Sequence, residues 1–196
     1  MMLRDRRPGR SNPSPKGHYR DYKTELRVDF GECCGYCDAP DYVLGGIRVF
    51  QIDHFAPRKK FPERSTTYSN LIYSCAFCNR AKWDTWIGDD PDTPNDGDVG
   101  FEDPCSLDYE AHLDRTDDGR FLALSAVGNY MIRELKLNLM RHQQIWQSQA
   151  IKKLRSRLRR LKDDPRLTSE RKIALLEQID ELTEEYEKFK LSAIAQ

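Results

Sequence analysis

An Asp53-His54 dipeptide lies between two Cys-x-x-Cys pairs, Cys34-Gly35-Tyr36-Cys37 and Cys75-Ala76-Phe77-Cys78, and Asn79 follows the last cysteine directly. Four thiolates at this spacing are the ligand set of a structural, tetrahedral Zn²⁺. Such an ion contributes on the order of 10–16 kcal/mol to small zinc modules. The stretch between positions 31 and 90 is expected to depend on that contribution. Inside the clamp the chemistry is of another kind. An unperturbed histidine, with a pKa of about 6.5, is mostly neutral in the cell and can take a proton from water. The Asp53 carboxylate offers a hard oxygen to Mg²⁺ or a similar ion. Neighbours on a strand point to opposite faces, which lets Asp53 face a cation while His54 faces water. A base beside a cation site is what phosphodiester hydrolysis requires.

Other candidates for chemistry read differently. Only Cys34 stands two residues from Cys37, which leaves Cys33 as a buried or spare thiol, and Cys105 is expected to pack as a small hydrophobe. His18, His112 and His142 lack comparable neighbours and read as structural or surface residues. Asp92, Asp96 and Asp98 fall in a loop where a calcium-binding pattern fails, since Pro94 occupies its third position and no glutamate occupies the twelfth.

The elements around the clamp follow from periodicity and turn signals. Tyr22, Leu26 and Phe30 predict a short helix over 19–30. Gly45-Gly46 predicts a turn, and alternation from Ile47 to His54 predicts a strand that Pro57 stops. Arg58-Lys59-Lys60 then forms a basic, exposed loop, Asn70 to Tyr73 a second strand, and Asn79 to Trp86 a helix with Trp83 and Trp86 facing inward. Strand, loop, strand and helix make a ββα unit tied by zinc. Residues 88–104 are acids and turn formers, hence loop. A hairpin is expected across His112-Leu113 and Phe121 to Leu124, turned at Asp117-Asp118-Gly119. Two apolar stripes, from Ile132 to Leu161 and from Leu175 to Phe189, flank the breaker Asp163-Asp164-Pro165 and predict an antiparallel helical hairpin, with Thr168 capping its second helix.

The net charge of zero conceals segregation. Residues 1–83 carry +6, residues 84–118 carry −12, and residues 119–196 carry +6. Each basic end is suited to a polyanion. No apolar run approaches the roughly 18 residues of a membrane span, and the basic N-terminus lacks the apolar stretch of a secretory signal. Reduced thiols and a cytoplasmic protein with no membrane partner are therefore expected. The expected organisation is α+β: a flexible basic arm over 1–18, a zinc-bound domain over 19–125 that includes an acidic loop at 84–118, and a helical hairpin over 126–196.

Cys34-x2-Cys37, Asp53-His54, Asn70-Leu71 and Cys75-x2-Cys78-Asn79-x2-Lys82 together resemble the zinc-containing branch of the HNH endonucleases, over about residues 31–86. The resemblance implies a ββα-metal nuclease core with His54 as general base and Asp53 as a ligand of the catalytic cation. It implies further that Asn70 orients the histidine and its loop, and that Asn79 is the second cation ligand. Asn79 stands where the family name has histidine. An amide oxygen is a harder ligand than imidazole, so Mg²⁺ or Mn²⁺ is expected rather than a transition metal such as Ni²⁺. Lys82, Arg58, Lys59 and Lys60 are the candidate nucleic-acid contacts. The resemblance favours DNA over RNA and suggests a restriction or antiphage setting. Two other readings remain: a non-catalytic zinc-stabilised module that binds nucleic acid or protein, and a nuclease subunit that depends on a partner such as an ATPase. Arg141 to Lys162 carries eight basic residues and no acid. That face is open either to ion pairing with the acidic second helix, within one chain or across a self-associated pair, or to nucleic acid.

Overall fold

Residue by residue, the computed structural model of the protein describes positions 3–194. The chain divides between Leu139 and Met140 into two compact units. The first contains α1 (Lys23–Asp29), β1 (Gln51–His54), β2 (Leu71–Ser74), α2 (Ala76–Lys82), α3 (Tyr109–His112), β3 (Leu113–Arg115), β4 (Phe121–Ala123) and α4 (Ala126–Glu134). The second contains α5 (Met140–Lys162) and α6 (Ser169–Ile194). The class is α+β, as the sequence predicts. Among the described residues no helix is long and apolar enough to cross a membrane.

β1 and β2 pair antiparallel, with Gln51 opposite Ser74 and His54 opposite Leu71, and α2 follows β2 at once. Leu71, Ile72 and Tyr73 are fully buried, which anchors β2 in the core. A side chain at Gly35 would meet Phe30 at 2.7 Å and Ile72 at 2.8 Å, so glycine lets the first cysteine knuckle approach this core. The Cys75 sulfur caps α2 by accepting from the Cys78 backbone N–H at 3.5 Å. Zinc knuckle and helix start are thus one local structure.

Several boundaries differ from expectation for local reasons. The strand predicted from Ile47 begins only at Gln51, because Val49 and Phe50 turn back to donate to the Gly46 carbonyl. The helix expected over 19–30 is a 3-10 turn at Tyr19–Tyr22 followed by α1. α2 starts three residues early, at its cysteine cap, and ends at Lys82. Trp86 packs edge-on against Phe55 and Phe61, at 5.4 and 6.0 Å between ring centroids. Trp83, expected to face inward, is 70% exposed. The predicted hairpin forms as β3 and β4, Leu113 facing Ala123, while His112 closes α3 instead of opening a strand.

The basic N-terminal segment is fastened to the first unit, contrary to the flexible arm that its composition suggests. Leu3 and Arg4 are buried. Arg10 ion-pairs with Asp103 at 2.7 Å and donates to the Ser69 carbonyl at 3.1 Å. Ser11 donates through both its backbone N–H and its hydroxyl to Asp29 Oδ2, which also accepts from the Tyr68 hydroxyl at 2.6 Å. Those bonds hold the Asp29 carboxyl below its ordinary pKa, against the opposing effect of its burial. Arg115, itself buried, donates to the carbonyls of Leu3, Gly119 and Cys37. Guanidinium bonds to carbonyls do here what apolar burial does elsewhere, and a hydrophobicity argument does not register them.

α4, which a division at residue 126 would assign to the hairpin, lies in the first unit and contacts β4. In the second unit α5 and α6 pack along their length, and Gln144 donates to Ser192 while Arg155 donates to Thr183, an antiparallel register. Arg155 also lies over the Tyr186 ring, at 4.9 Å. Leu175, Ile179 and Tyr186 of the α6 stripe are buried, whereas Leu154 and Leu161 of α5 are nearly half exposed. Thr168 caps α6 through the Arg171 N–H, as its position predicts.

A side chain at Gly128 in α4 would meet the His112 carbonyl oxygen at 1.9 Å, a backbone atom that cannot step aside. Gly128→Ala is therefore expected to destabilise the first unit by about 1–3 kcal/mol or more, read as a lowered midpoint in thermal or urea unfolding.

Candidate functional site

The two knuckles bring Cys34, Cys37, Cys75 and Cys78 together, all buried, with their four sulfurs within 4.8 Å of one another. Zn–S bonds of about 2.3 Å give a tetrahedron with edges of about 3.8 Å, and Cys37 and Cys75 stand 3.8 Å apart. The donors and their spacing fit zinc. Cys33 is not in the cluster, and burial pushes its thiol well above its ordinary pKa, so it stays protonated. Cys105 is partly buried and accepts from Arg10 at 3.0 Å, and burial pushes its thiol up to about 12.

β1 leads from this cluster into an open cleft of about 820 Å³, whose lining includes Gln51, Asp53, His54 and Asn79. His54 Nε2 lies 2.9 Å from the Ser65 carbonyl. A carbonyl only accepts, so Nε2 carries the proton and Nδ1 keeps a free electron pair. Burial lowers the His54 pKa, with the Ser65 bond pulling the other way, and the ring stays neutral. The Tyr19 ring meets the imidazole edge-on at 4.7 Å. Buried Asn70 fixes the loop that carries Ser65. Its Oδ1 accepts from the Ala56 N–H at 2.8 Å, and its Nδ2 donates to the carbonyls of Ala56 and Arg64 at 3.0 and 3.2 Å. One amide side chain thus sets both ends of the loop whose next carbonyl holds His54.

Asp53 points to the other face of β1. Its Oδ2 accepts from the Tyr36 hydroxyl at 2.5 Å and lies 3.4 Å from Lys82 Nζ. Burial pushes the Asp53 carboxyl up while Lys82 and Tyr36 pull it down; burial pushes the Lys82 ammonium down while Asp53 pulls it up. Each ion makes the other tolerable in a dry site, which is how buried charges persist. Gln51, two residues before Asp53 and so on its face of β1, accepts from Asn79 Nδ2, which leaves the Asn79 carbonyl oxygen free of that bond.

The expected phosphate contacts separate. Arg58 and Lys59 line the cleft together with Arg20, Lys23 and Arg48. Lys60 instead pairs with Asp89 at 2.8 Å and with the Gly88 carbonyl, so the acidic loop neutralises it. Lys82 is fully buried, donates to the His54 carbonyl at 3.2 Å, and lies near the faces of Phe55 and Phe101. It is an internal counter-ion to Asp53 and not a surface grip. Sequence reasoning missed Tyr36, Gln51 and Tyr19. The position of Tyr36 inside the first Cys-x-x-Cys and the alternation that puts Gln51 beside Asp53 were available signals; nothing in the sequence brings Tyr19 to His54.

Residues 34–85 match the family model described as HNH endonuclease, a stretch shorter than half the chain. No curated protein and no solved structure matches the chain.

Purified protein is expected to hold zinc at one ion per chain, and Cys75→Ala, which removes a ligand and the α2 cap together, to lose both the metal and the cooperative unfolding of the first unit; metal analysis with circular dichroism reads both. Asn70→Ala leaves three backbone groups short of partners, the two of Ala56 buried, at about 1–3 kcal/mol for each buried group. Its melting temperature should fall with zinc content unchanged.

Proposed function

Because residues 34–85 are an HNH endonuclease domain, we propose that the protein is a metal-dependent nuclease whose active centre is the cleft built on His54, Asp53, Asn70 and Asn79. The observation that carries this reading is the division of β1. On one face a neutral imidazole is anchored through Nε2, on the other stands a carboxylate, and the Asn79 amide of α2 lines the same cleft. His54 Nδ1 takes a proton from water, the hydroxide so formed bonds to phosphorus as the P–O ester bond opposite it breaks, and the departing oxygen takes a proton from solvent. The Ser65 carbonyl steadies the imidazolium that results. Asn70 does not touch the reacting atoms; it holds the loop that presents that carbonyl.

Tyr36 and Lys82 both occupy Asp53 Oδ2, which leaves Oδ1 for a cation. With the Asn79 carbonyl, and water or phosphate oxygens, that makes an all-oxygen site suited to Mg²⁺ or Mn²⁺. An ion bound there supplies positive charge to the phosphate and to the departing oxygen. Arg20, Lys23, Arg48, Arg58 and Lys59 line the cleft beside these groups and suit a polyanionic strand. DNA is the preferred substrate in this reading, on the likeness to the family.

The test is cleavage of plasmid, single-stranded DNA and RNA by the full chain with Mg²⁺ or Mn²⁺. His54→Ala should lower the rate by about 10²–10⁴-fold while zinc content and melting temperature hold. Equal inertness of wild type and variant on all three substrates would remove the proposal.

A further inference from the structure

α2 ends in a conformation that its sequence makes costly. Trp83 has φ 49° and ψ −131°, and the Thr85 N–H donates to the Lys82 carbonyl at 3.0 Å. These are the features of a type II′ turn with Trp83 at its first central position, which glycine ordinarily fills because a side chain there is strained. A bulky aromatic at positive φ is a genuine outlier. The strain is not repaid by burial, since the Trp83 side chain is 70% exposed. Strain held without a stability return marks positions kept for function.

The position supplies the function. Trp83 follows Asn79 by one helical turn and lines the cleft that holds His54, Asp53 and Asn79. Arg20, Lys23, Arg48, Arg58 and Lys59 line it too, against Asp53 and Asp84 as its acids. Cationic side chains around a solvent-facing indole are the arrangement that grips a strand: phosphates go to the cations and a base lies on the ring. In a paired duplex the base faces are covered by their neighbours. An exposed ring therefore selects a nucleotide whose base is free to leave the stack.

We propose that Trp83 is a base-stacking platform, and that the substrate is a nucleic acid with an unpaired base beside the scissile phosphate: a single strand, a loop or a flap rather than intact duplex. This rests on the nuclease reading for the identity of the cleft, but it is tested by binding alone. Trp83 determines specificity here and takes no part in proton transfer.

The experiment uses the full chain carrying His54→Ala, with the divalent cation left out, so that the strand stays intact during the measurement. Affinities for a labelled single-stranded oligonucleotide and for the same sequence as blunt duplex are measured at one salt concentration. Trp83→Gly, which relieves the turn, should weaken single-strand binding by about tenfold and duplex binding by less than twofold, while the melting temperature rises. Trp83→Phe should keep most of the single-strand affinity, and Trp83→Leu should lose as much as glycine does. Equal losses on single strand and duplex, no loss on either, or leucine binding as well as phenylalanine would each overturn the proposal. If Trp83 discriminates as described yet the wild-type chain cuts nothing, the nuclease reading fails and the platform stands. If cutting depends on His54 but not on Trp83, and Trp83→Gly leaves binding unchanged, the platform fails alone.

Discussion

Four buried sulfurs within 4.8 Å of one another are the constraint from which the rest of the first unit follows. Four thiolates so close repel one another and cannot be solvated, so the arrangement is favourable only around a cation that neutralises them. Once that requirement is met, two distant pieces of chain are locked together. The first knuckle places Tyr36 beneath β1, the second starts α2 by capping it, and β1 is held between them. Asp53, His54 and Asn79 then reach one cleft, with β2 anchored behind them through Leu71, Ile72 and Tyr73.

The cleft's two faces are stabilised by different means. His54 is set by a chain of neutral hydrogen bonds: Asn70 to the loop, and the Ser65 carbonyl to Nε2. Asp53 is set by charge, through a lysine with no exposure of its own. Removing either member of that pair would strand an ion in a dry site, which is far more costly than losing a surface salt bridge. Lys82 also bonds the His54 carbonyl, so a single side chain from α2 braces both candidate residues from behind.

How much of this was legible in the sequence depended on the kind of force involved. The zinc set was legible because thiol spacing is local, and the two helices of the second unit because apolar periodicity repeats over many residues. The pairing of β1 with β2 followed from the residues between the cysteines. Lys82 was misread because nothing local says that a helix lysine faces an aspartate in the core; only the fold brings them together. Trp83 was expected inside because indole is apolar, and a turn of glycine type at that point holds it outside. The N-terminal segment looked flexible because apolar burial was taken as the measure of order, while Arg10, Ser11 and Arg115 fasten it with polar bonds.

Zinc as frame and a separate oxygen site as the seat of chemistry is the central claim, and paramagnetic resonance of Mn²⁺ tests it most directly. The zinc-loaded chain is titrated with Mn²⁺ in the presence of an uncleavable phosphorothioate strand. One bound Mn²⁺ per chain is predicted, lost in Asp53→Asn and in Asn79→Ala, with zinc retained throughout. Mn²⁺ that displaces the zinc, or that binds the two variants as it binds the wild type, would contradict the account.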